Sequence, residues 1–224
     1  MTNQDEPIVD VENAFSKTEL FIEENKKSLT LIVLTIIALV GGYFAWKYWY
    51  VAGQEVEAQK EMFTAESYFE KDSLDKAING DGEFLGFVDI ADKYSITASG
   101  NLAQYYLGIS YLRKGAYEKA IEHLTKFDSD DQIIAPIAIG AIGDAHHELG
   151  QAEEAATYYL KAAEKNTNNF TTPVYLQKAG LAYEEMKNYT DALKVYKRIK
   201  TDFLETTEGR SIDKYIARAE ALIK

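Results

Sequence analysis

The chain has 224 residues, 36 acidic against 24 basic, and a formal net charge of −12 at neutral pH. So acidic a protein is a poor partner for nucleic acid or for an anionic lipid surface. With no cysteine, disulfides, thiolate zinc sites and a lipid-bearing cysteine are excluded, while neither side of a membrane is selected.

Residues 1–27 read as an acidic tail. The first dozen look disordered, and Asn13–Asn25, with Phe15, Leu20, Phe21 and Ile22 nearby, suits a short amphipathic helix. Residues 28–51 read as a transmembrane anchor. Its centre, Leu29–Ala45, is seventeen residues without a charge, ten of them Leu, Ile, Val or Phe. A helix over this stretch and its semi-polar extension runs roughly 25–33 Å, enough to cross the hydrocarbon core. Its apolar residues favour insertion by on the order of 3–6 kcal/mol. Tyr43, Phe44, Trp46, Tyr48, Trp49 and Tyr50, around Lys47, form the aromatic belt of a helix leaving lipid for the headgroups. A cleavable signal peptide would want a basic start, a shorter apolar run and a small-x-small end; a buried soluble helix would show a polar face. Neither description fits. Lys17, Lys26 and Lys27 precede the span, whereas Lys47 and, farther off, Lys60 follow it. That bias favours a cytoplasmic N-terminus and a translocated C-terminal domain. Ala38 and Gly42, and Gly41 and Ala45, are spaced by four and line a flank where a second helix could approach closely.

Residues 52–224 change to helical amphipathicity with polar breaks. Glu55–Phe69 predicts a helix, Asp72 or Ser73 a cap, and Gly80, Asp81 and Gly82 a break. Residues 54–95 read as one or two degenerate hairpins, and 209–223 as a terminal capping helix. Between them, over about 99–203, the chain repeats itself. The first unit carries Leu107, Gly108, Tyr111, Gly115, Tyr117, Ala120, Leu124 and Phe127. The second carries Ile142, Gly143, His146, Gly150, Ala155, Tyr159 and Ala162, and the third Ala179, Gly180, Tyr183, Tyr189, Ala192, Tyr196 and Ile199. Small Gly108-type and Ala120-type residues let antiparallel helices approach, with Tyr111 and Tyr183 filling the space beside them. Gly115 and Gly150 suit a left-handed turn, with Asn188 serving in the third unit. Pro136 and Pro173 open first helices. The spacing resembles the tetratricopeptide repeat. His146, where an aromatic belongs, and the missing closing prolines depart from that pattern. The expected fold is all-α: one N-terminal transmembrane helix followed by a tetratricopeptide-repeat superhelix.

No phosphate loop, nucleophile context or H-E-x-x-H motif is present, so neither an enzyme nor a cofactor site is read. Asp144 and His147 are three apart and could share a metal, but two ligands are too few; His146 reads as a packing residue. The sequons at Asn169 and Asn188 occur at chance level. Asp72-Ser73-Leu74 resembles an O-glycosylation triplet of exported Bacteroidota proteins. In repeat register the concave wall would carry Tyr105, Ile109 and Arg113, then Asp144, His147 and Glu148, then Gln177, Lys178, Leu181, Glu184 and Glu185. Such a wall suits basic or amphipathic segments, though ordinary solvated side chains would look the same.

A short tail, one early span and a repeat domain, with the phrases GFVDIADKY, NLAQYYLGISYLRKGAYEKAIEHL and AIGDAHHELG, resemble the YfgM-like ancillary translocon subunits in their Bacteroidota form. The resemblance implies an inner-membrane protein facing the periplasm, bound to the SecYEG channel and a PpiD-like membrane-anchored chaperone, and helping secreted chains as they emerge. A scaffold for another envelope assembly or secretion machine is the alternative.

Overall fold

Apolar residues at helical spacing from end to end should give helices throughout. The structure, a computed structural model that describes the backbone of residues 11–223 and the side chains of 19–223, is helical with no strand among those residues. The start of the stretch expected to be disordered, residues 1–10, lies outside the described residues. The chain divides between Gly53 and Gln54 into two compact units.

The first unit is helix α1 (Val11–Ala45), followed by a wider π-helical turn, Trp46–Val51. Leu31, Ile32, Leu34, Ile37 and Leu39 are exposed on all sides, and this is one helix long and apolar enough to cross a membrane. A helix apolar all round belongs in an apolar solvent or core. A Cβ added at Gly41 or Gly42 would meet nothing within 4 Å, so the flank with Ala38 and Ala45 stands open. The π turn has no local signature beyond WKYWYV, aromatic and β-branched residues that are weak α-helix formers.

The boundary falls in the first turn of α2 (Ala52–Glu70), and the second unit continues through α3 (Leu74–Asn79) and α4 (Phe87–Lys93). Three hairpins follow: α5 (Ala98–Arg113) with α6 (Tyr117–Lys126), α7 (Ile134–Glu148) with α8 (Ala152–Lys165), and α9 (Thr172–Glu185) with α10 (Tyr189–Asp202). From α4 to α10 each helix packs on the next. The core runs as a stripe, from Met62, Phe87 and Leu107 through Leu124 and Ile142 to Leu176, Tyr196 and Ile199. Where one capping helix was expected there are two, α11 (Thr207–Ser211) and α12 (Asp213–Leu222), broken at the fully buried Ile212.

The glycines explain why the hairpins close. A Cβ at Gly108 would strike the Leu124 side chain, at Gly143 the ring of Tyr159 and at Gly180 the ring of Tyr196, sixteen residues on each time. Each first-helix glycine is therefore a socket for one side chain of the second helix. Ala120, Ala155 and Ala192, all buried, lie one turn before that side chain.

The left-handed turn residues are Gly115 and Gly150, both at φ +73°, but in the third hairpin Lys187 at φ +59°, not Asn188. The socket glycine sets the turn seven residues later in all three, which leaves Asn188 to cap α10 by accepting from the Asp191 N–H at 3.3 Å. A lysine held left-handed is strained by about 1–2 kcal/mol, while glycine gives back roughly half of that in unfolded-state entropy. Lys187→Gly should stabilise the chain by about 0.5–1 kcal/mol, read as a melting temperature higher by about 1–4 °C; an unchanged or lower midpoint would show the turn to be unstrained.

Candidate partner-binding wall

Helices α5, α7 and α9 lie side by side through the hairpins, and residues four and seven apart on each share a face. On α7 that face carries Asp144. Its carboxylate accepts from the Tyr159 hydroxyl at 2.7 Å and from the Lys178 ammonium at 2.7 and 2.9 Å. One carboxylate thus ties α7 to both α8 and α9. Lys178 also stands over the rings of Tyr159 and Tyr175, 5.5 and 5.7 Å from their centroids, and the rings stack 6.4 Å apart. Burial, and then the charge of Asp144, push both phenols well above the ordinary tyrosine range.

Farther along the same helices, His147 Nε2 lies 3.2 Å from Glu185 Oε2, and the Tyr117 hydroxyl donates to Glu148 Oε2 at 3.2 Å. Leu112, Tyr117, Asp144, His147, Glu148, Tyr159 and Lys178 line an open cleft of ≈ 400 Å³. Its free valences are carboxylate oxygens, so its chemistry is reception of cations and hydrogen-bond donors. Among the described residues no three His, Asp or Glu side chains converge as metal ligands: Asp144 and His147 turn to different partners. His146 packs, its ring stacked 5.1 Å from that of Tyr158 and its Nδ1 2.6 Å from Gln151 Oε1.

Of the residues expected on the wall, Asp144, His147, Glu148, Lys178 and Glu185 come together. Leu181, 42 % exposed, lies open beside them, and Gln177 is half-buried. Tyr105 and Ile109 pack against Leu124 and Ile142, with the Tyr105 ring 5.4 Å from Phe127. Two residues leave the wall. Arg113 lies over Phe69 at 4.3 Å, and Glu184 takes Arg218 of α12 at 2.6 and 3.2 Å. Both are claimed by helices distant in sequence, which repeat register does not foresee.

A second cleft, of ≈ 600 Å³, opens where α7 and α9 begin, bordered by Ile137, Phe170, Val174, Tyr175, Glu205 and Glu208 among others. Sequence reasoning missed it. The signal was there in part: Ile137 stands seven before Asp144 and Val174 four before Lys178, on the same helix faces.

Comparison with protein families finds the tetratricopeptide repeat three times, at residues 102–130, 138–169 and 175–203. Each match starts within the first helix of a hairpin and ends just past the second. No curated protein matches the chain. The array is thus a run of tetratricopeptide repeats, a protein-interaction architecture that generally serves as a non-enzymatic scaffold.

Proposed function

We propose that the chain is a membrane-anchored, periplasmic protein-interaction module, an accessory subunit of the SecYEG translocon. It links the channel to a PpiD-like membrane-anchored chaperone and to secreted chains as they emerge. The observation that carries the reading is the succession, in one chain, of a helix of membrane-crossing length and apolarity and a repeat array with an open, partly acidic wall. The resemblance to YfgM-like subunits supplies the machine. In this reading the Lys-richer side of the span stays in the cytoplasm. The open flank of Ala38, Gly41, Gly42 and Ala45 meets another membrane helix, and the wall around Leu181 meets polypeptide.

A photo-crosslinking residue at Leu181, in the full chain in native membranes, tests this. Adducts with channel subunits, the chaperone or a secreted chain in transit are expected, and protease added to inside-out vesicles should leave the hairpins intact. Digestion from the cytoplasmic side would overturn the orientation. Adducts confined to another envelope assembly would replace the translocon with that machine.

A further inference from the structure

The ≈ 600 Å³ cleft at the start of α7 and α9 adds a second seat to the wall. Phe170 is 69 % exposed at its edge, yet its loop is firmly held. Asn168 Oδ1 accepts from the N–H groups of Phe170 and Thr171 at 2.8 and 2.7 Å, and the Thr172 hydroxyl donates to the Ala163 carbonyl at 3.2 Å. On the facing side the Thr206 hydroxyl donates to the Phe203 carbonyl at 2.7 Å and accepts from the Gly209 N–H at 3.1 Å. An exposed ring on a prearranged loop binds an apolar group with little ordering cost.

The two clefts are neighbours along the wall, meeting at one pair of rings. Tyr175 borders the apolar one and Tyr159 the acidic one, and these rings are the stacked pair under Lys178. Eleven residues of either helix separate the apolar seat from the carboxylates, Ile137 to Glu148 on α7 and Val174 to Glu185 on α9, about 16–17 Å of helix. An extended segment covers that distance in about five residues.

Charge selects what lies across them. Lys178 is neutralised by Asp144. Around the two seats this leaves the carboxylates of Glu148, Glu185, Glu205 and Glu208, against Arg210, 3.9 Å from Glu205, and His147 beside Glu185. Such a rim repels acidic segments and anionic lipid and draws Lys and Arg.

We infer that the wall holds an extended polypeptide segment in which a Leu or aromatic side chain and a Lys or Arg stand about five residues apart. The apolar side chain seats against Ile137, Phe170 and Val174, and the cation against Glu148 and Glu185. The inference rests on the docking role proposed above for this wall.

The test uses the full chain in zwitterionic lipid nanodiscs and a labelled Gly/Ser/Ala peptide carrying one Phe and two Lys at that spacing, read by fluorescence anisotropy. Its Phe→Ser and Lys→Glu versions should each bind at least about tenfold more weakly. Phe170→Ser in the protein should erase the Phe-against-Ser difference only, and Glu148→Gln with Glu185→Gln the Lys-against-Glu difference only. All three side chains are exposed, so folding is not at stake, and circular dichroism melts check it. Ratios unmoved by these substitutions, no binding of any peptide, or cross-links from position 170 to a second copy of the chain would each overturn the two-seat inference. Cross-links from position 181 to the channel or its cargo would still stand in those cases. Their loss, with peptide binding kept, would remove the translocon role and leave the seats.

Discussion

Above pH 10 the hairpin array should unfold steeply, losing about 4 kcal/mol of stability per pH unit. The cause is three phenols: Tyr159, Tyr175 and Tyr196, which are 4 %, 7 % and 0 % exposed. Burial first, then Asp144 for the first two and Glu184 for the third, raise them well above the ordinary value. An unfolded tyrosine ionises near pH 10. A group whose pKa is raised by folding contributes stability that is complete below the unfolded pKa and lost as pH climbs towards the folded one. Each phenol gives a slope of about 1.4 kcal/mol per unit, and three together give the figure above. Tyr106, pushed up to about 12 by burial, adds to it. Against a usual stability of about 5–15 kcal/mol, the folded state should be gone within roughly two to three pH units of pH 10. Far-ultraviolet circular dichroism and tyrosinate absorbance should then change together. The Tyr196 hydroxyl finds no hydrogen-bond partner among the described residues, so Tyr196→Phe should cost little at neutral pH and flatten the alkaline slope by about a quarter to a third. Phenols that ionise early while the helices persist would contradict the mechanism.

The contrast between what the sequence discloses and what it hides follows from range. The apolar helix is legible because every residue of Leu29–Ala45 says the same thing, and the hairpins because Gly, aromatic and Ala recur at helical spacing. The turn in the third hairpin was misplaced by one residue because Asn188 is the better left-handed former. Geometry measured from Gly180 assigns that conformation to Lys187 regardless. Neighbours on a helix stand about 100° apart, so Glu184 and Glu185, adjacent in sequence, part company: one goes to Arg218, the other to His147. The apolar cleft draws on residues near 137, 170–175 and 205–210, three segments that no local pattern joins. Both departures from the expected wall, Arg113 and Glu184, involve partners thirty or more positions away. Register along one helix locates a face; only the whole array decides what covers it.

The socket glycines make the second large effect. In an open helix Gly→Ala stabilises by about 1 kcal/mol, and Gly53, where an added Cβ meets nothing within 4 Å, should behave so. At Gly180 the same methyl lands on ring atoms of Tyr196. That ring is wholly buried and packs 5.5 Å from the Tyr215 ring, so any retreat displaces other packed side chains. Overpacking costs about 1–3 kcal/mol and occasionally more, and here the array must open between α9 and α10 to relieve it. Gly180→Ala should therefore destabilise by about 2–3 kcal/mol, lowering the melting temperature by roughly 5–10 °C. Gly108→Ala, which presses on the branched but rotatable Leu124, should cost less. If the ring is the obstacle, Gly180→Ala costs less in a Tyr196→Leu background than alone, and the coupling is read from a double-mutant cycle of chemical denaturations. A rise in stability at Gly180 matching that at Gly53 would mean that the helices are held apart by something other than this side chain, and the account of how each hairpin closes would have to be replaced.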